Sequence, residues 1–160
     1  MAGTFLACGV LVLGFAVSLR RLRARRWPSL LVGGFGLGLV LAGLFPAPRG
    51  LGFPAGTPQE LQPEMTTTAI LHSVGFNIAF GCLIAACFVF AHLYRSAGQL
   101  GAASSCLTVG VALPVLIGLG ASAVIPTGVG FYLAATLAWL WLAALALQHL
   151  RPRHTTATTT

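Results

Sequence analysis

Hydrophobicity along this chain comes in long blocks rather than in alternation. Five apolar stretches, roughly Ala2 to Leu19, Pro28 to Phe45, Ala69 to Leu93, Ala102 to Ile125 and Val129 to Leu150, are separated by short segments that hold nearly all the charge. Each is close to the ~20 residues a helix needs to cross a ~30 Å hydrocarbon core. The pattern predicts an all-α fold: a polytopic transmembrane helix bundle of about five spans, one domain over residues 1–150, followed by a disordered cytoplasmic tail at 151–160.

Composition agrees. With 57% hydrophobic and 7% charged residues, the chain has too little polar surface for a soluble domain of its size. Eight of the nine arginines fall at Arg20 to Arg26, at Arg95, and at Arg151 with Arg153, each group abutting an apolar run. Cationic loops stay on the cytoplasmic side, so these groups mark the inner face. The N-terminus is then outside and the C-terminus cytoplasmic, with 46–68 and 126–128 as outer loops. The first stretch is no secretory signal, since its basic residues follow the apolar run instead of preceding it. A net charge of +7 beside membrane spans points to the bilayer, with anionic lipid headgroups at Arg20, Arg21, Arg23, Arg25 and Arg26, and not to nucleic acid. Arg without Lys, beside abundant Ala and Gly, suggests GC-rich codons, consistent with a bacterial plasma membrane.

The outer segment from Pro46 to Thr68 is too short for a core of its own, and its prolines and glycines resist both helix and sheet. Its end, QPEMTTT, carries Pro63 and Glu64 early and threonines able to cap, so the third span is expected to start before the lipid. The second span has a small-xxx-small pair at Gly34 and Gly38, which lets helices approach closely. Pro114 is expected to kink the fourth span.

A basic loop, a glycine-rich span ending in Gly43-Leu44-Phe45-Pro46, a proline-rich outer loop and a span opening with Leu71-His72 together resemble the bacterial and archaeal membrane proteins catalogued as domain of unknown function 998. The resemblance implies a helical membrane protein of six spans without an assigned activity, so one N-terminal span would be missing here. Where the family tends to carry Asp after Phe-Pro, this chain has Ala47 and Pro48; of the polar positions only His72 carries over.

Polar residues within the spans are the candidates for chemistry. His72 lies near the outer end of the third span, an expected solvent-facing mouth. Asn77 lies deeper, where an unsatisfied amide costs several kcal/mol. Ser73, Asn77 and Gly81 recur every four residues on one face, which predicts an interhelical seam. Glu64, eight residues before His72, would share its face if both were helical, yet one histidine with Glu60 and Glu64 matches no metal motif. His92 and His149 lie near the inner ends of their spans without a second pair to suggest haem. Cys8, Cys82, Cys87 and Cys106 all fall within or beside apolar runs and read as packing thiols; Cys82 and Cys87 are not a CxxC pair.

The chain has no Asp, no Lys, no GxSxG, no HExxH and no phosphate loop. Neither an enzyme nor any cofactor or metal is expected. The favoured reading is a non-catalytic membrane protein acting by association with lipid, a partner membrane protein or further copies of itself. The alternative is a small transporter or channel with a site near His72 and Asn77.

Overall fold

In the computed structural model the described residues are 2–23, 26–54, 56–122 and 124–150. They form five helices: α1 (Ala2–Arg23), α2 (Arg26–Leu44), α3 (Thr67–Ser96), α4 (Leu100–Ala121) and α5 (Thr127–Leu150), with no strand among them. All five are long and apolar enough to cross a membrane. Arg25, Arg151, Arg153 and the tail expected at 151–160 lie outside the described residues.

Helix boundaries overrun the apolar blocks wherever a backbone partner remains. The first helix continues through Arg20 and Arg21 to Arg23, and the second already begins at Arg26, so only residues 24 and 25 separate them. Arg20, Arg21, Arg23 and Arg26 thus belong to helix ends. In contrast, α4 stops at Ala121, four residues before the expected end. The N–H of Ser122 closes the helix on the Gly118 carbonyl at 2.9 Å, and Pro126 cannot continue it. Pro126 instead precedes α5, and its carbonyl accepts the N–H groups of Val129 and Gly130. The fourth helix runs unbroken through Pro114.

The third helix has 30 residues and is ~45 Å long, more than the hydrocarbon core requires. Thr66 caps its start, the hydroxyl accepting from Ala69 N at 3.2 Å. At its end Gln99 N bonds the Tyr94 carbonyl at 2.9 Å and Gly98 N bonds that of Arg95 at 3.1 Å. This six-to-one, five-to-two closure needs a left-handed residue at its centre, which Gly98 supplies with φ +73°. The turn into α4 is fixed by that glycine.

Consecutive helices pack antiparallel, and the tightest contacts sit at glycines on two sides of α2. Toward α1, a Cβ at Gly36 would lie 3.0 Å from the Gly9 carbonyl oxygen. Toward α3, one at Gly38 would lie 2.6 Å from the Gly75 carbonyl oxygen and 2.7 Å from Ala79 Cα. Backbone meets backbone at both faces, which no larger residue permits. Gly120 and Gly130 join α4 to α5 in the same way. The fifth helix then lies alongside α3 in parallel. Phe76 meets Phe131 at 5.4 Å, Phe90 meets Trp141 at 5.8 Å, and the Tyr94 hydroxyl donates to Gln148 Oε1 at 2.6 Å. Val32, Phe35, Leu83, Cys87, Phe90 and Leu113 are fully buried between the helices.

Candidate functional site

The joint between α2 and α3 is the most specific polar arrangement in the spans. Pro46 has no N–H, so the Ala42 carbonyl, four residues earlier, cannot receive its helical bond. The His72 ring nitrogen Nδ1 lies 2.7 Å from the Phe45 carbonyl oxygen and 3.2 Å from that of Ala42. As the donor, Nδ1–H caps the last turn of α2 from the facing helix. The two halves of the sequence signature, Gly43-Leu44-Phe45-Pro46 and Leu71-His72, are therefore one structural unit. The ring expected at an outer mouth is half-buried and spends its Nδ1 on the chain's own backbone.

The expected seam is also corrected. Ser73, Asn77 and Gly81 share a face of α3, but that face points away from the bundle, and a Cβ added at Gly81 would meet nothing within 4 Å. The seam runs along the stripe of Gly75, Ala79 and Cys82 on the other side of the helix, where the apolar small residues give α2 its closest approach. Ser73 Oγ donates to the Ala69 carbonyl at 2.9 Å, and Asn77 Nδ2 to that of Ser73 at 2.8 Å. Both are back-bonds within the helix and reach no other element.

Glu64 is exposed and precedes the first helical residue, Thr67, so it does not share a helical face with His72. Among the described residues no three His, Cys, Asp or Glu side chains cluster as metal ligands would. Near the C-terminal end of α3, His92 is exposed. His149 is half-buried, its Nδ1 2.8 Å from the Leu145 carbonyl and its ring edge-on to Phe15 at 6.1 Å. The four cysteines are free; Cys87 and Cys106 are buried, and Cys106 Sγ accepts from Trp141 Nε1 at 3.4 Å.

Aromatic rings fill part of the interior: Phe76 lies 4.6 Å from Phe80, and Phe35 lies 6.5 Å from Phe80 and 5.9 Å from Trp139. Ser29 is buried, and its hydroxyl bonds the Arg26 carbonyl at 2.9 Å. Outside this core, the α2–α3 loop folds on itself through Leu51 N to the Leu61 carbonyl, at 2.9 Å. Together with the α4–α5 turn it borders an open cleft of about 330 Å³, lined by Leu51, Gln59, Val124, Ile125, Pro126 and Thr127. Neither periodicity nor a motif marks these residues, because the cleft joins segments far apart in the chain.

A family model described as "Protein of unknown function (DUF998)" matches residues 1–148. No curated protein and no solved structure matches.

Proposed function

Because the chain belongs to the DUF998 family, whose description assigns no activity, we propose that it is a non-catalytic membrane protein acting by association with lipid or with partner proteins in a bacterial plasma membrane, N-terminus outside and C-terminus inside. The observation that carries this reading is the disposition of polar groups within the spans. His72 is spent on the α2 carbonyls, Asn77 faces outward, and rings occupy the space between α2, α3 and α5 where a translocation path would run. A transporter needs polar groups lining a route through the bundle; an associating protein presents them on its surface. The exposed Arg20, Arg21 and Arg26 at the α1–α2 joint offer positive charge to anionic headgroups, each attraction worth ~1 kcal/mol near the surface.

The test is reconstitution into liposomes holding a pH-sensitive dye, under an imposed proton or potassium gradient. Flux no faster than in protein-free liposomes is expected, together with less co-purified anionic lipid after Arg20, Arg21 and Arg26 are changed to Gln. Flux that rises with protein content and falls on Asn77→Leu would establish the transporter alternative in its place.

A further inference from the structure

We infer that two copies of this chain associate through the outer half of α3, with Asn77 of each copy hydrogen-bonded to Asn77 of the other. The inference rests on the association reading above and names the partner as a second copy. Asn77 donates one N–H to the Ser73 carbonyl, while its second N–H and its Oδ1 have no partner among the described residues. The side chain is exposed on the surface of the chain. Its position is ~12 Å along the helix from Ala69, where the apolar run begins, well inside the hydrocarbon. No water reaches that depth on a lipid-facing surface, so the unmet half of the amide needs another protein group.

Three features select a second copy as that group. A primary amide is both donor and acceptor, and so complements itself. Copies of one chain share one orientation in the membrane, so a two-fold axis along the bilayer normal brings residues of equal depth together. Asn77 then meets Asn77 without any shift of register. Ser73 and Gly81 lie one turn to either side; the serine hydroxyl is folded back on Ala69, and the space beside Gly81 is open, leaving a shallow track for an approaching helix. Exposed Ile70 and Val74 flank the amide and would form the apolar rim. The opposite side of α3 is already taken by α2 at Gly75 and Ala79.

The experiment places the full chain, fused at its C-terminus to a donor or an acceptor fluorescent protein, in phosphatidylcholine–phosphatidylglycerol vesicles across a range of protein-to-lipid ratios. Energy transfer should follow a two-copy isotherm. Asn77→Leu should weaken association about fivefold, the factor for ~1 kcal/mol. Asn77→Gln should recover part of the loss, and Gly81→Ile, which fills the track, should weaken association at least as much as Asn77→Leu. Val10→Ile on the exposed part of α1 should change nothing. Helical content and melting of the Asn77 and Gly81 variants in detergent should stay near those of the parent, since neither residue touches another helix. Association of Asn77→Leu as tight as the parent's, or energy transfer no greater than for randomly mixed labels at every ratio, would overturn the inference. Vesicles that remain impermeable in that case leave the association reading standing. Transfer as expected combined with dye or ion leakage through the dimer would overturn the association reading and leave the dimer.

Discussion

Replacing Gly38 with Ala tests how tightly the α2–α3 contact is drawn. The added methyl would lie 2.6 Å from the Gly75 carbonyl oxygen and 2.7 Å from Ala79 Cα, both backbone atoms that no rotamer change can move. Ala79 N lies closer still, so restoring an ordinary 3.4 Å contact requires the two helices to part by about 1 Å. Overpacking of this kind costs ~1–3 kcal/mol, against a gain of up to ~1 kcal/mol from replacing a helical glycine by alanine. The net expectation is a loss of ~1–2 kcal/mol. Gly81→Ala is the matched control: it makes the same change on the same bundle, where the methyl meets nothing within 4 Å. It should be neutral or slightly stabilising. Unfolding in mild detergent against added sodium dodecyl sulfate, followed by far-ultraviolet circular dichroism, separates the two. Equal losses for Gly38→Ala and Gly81→Ala would refute the assignment of the seam to the Gly75–Ala79 stripe.

His72→Ala should cost ~1–3 kcal/mol in the same assay, because the Ala42 and Phe45 carbonyls lose their donor where Pro46 provides none; stability unchanged within ~0.5 kcal/mol would show that water or lipid headgroups replace the imidazole. A reporter that fluoresces only in the cytoplasm should light up when fused after Thr160 and stay dark when fused after Thr57, and the reverse pattern would invert the proposed orientation.

The five spans were legible because lipid imposes a length and forbids charge, two constraints that a single sequence displays directly. The ends were less so. Arginine stems do not stop a helix, which is why α1 runs on through Arg20 and Arg21, and the end of α4 depends on a turn whose closure at Ser122 and Ile125 no local residue announces. The third helix carries two stripes of small residues, Ser73–Asn77–Gly81 and Gly75–Ala79, only two positions apart. Polarity made the first resemble a seam, since an amide in lipid asks for a partner. The fold chose the second, since methyls and bare backbone let α2 approach and a Ser or Asn side chain would hold it away. The role of His72 was half legible: the missing N–H of Pro46 leaves a carbonyl in need, but that α3 supplies the donor is a fact of three-dimensional pairing.

The short joint between α1 and α2 bears on how the protein enters the membrane. With only residues 24 and 25 between the helices and five arginines in seven positions, this charged segment is costly to pass through hydrocarbon, while Gly9 and Gly36 hold the two helices backbone to backbone. In the orientation proposed above, the two helices are therefore suited to insert together, with the arginines kept on the side of synthesis. The contact that later braces the bundle would already be made while the third helix is still being translated.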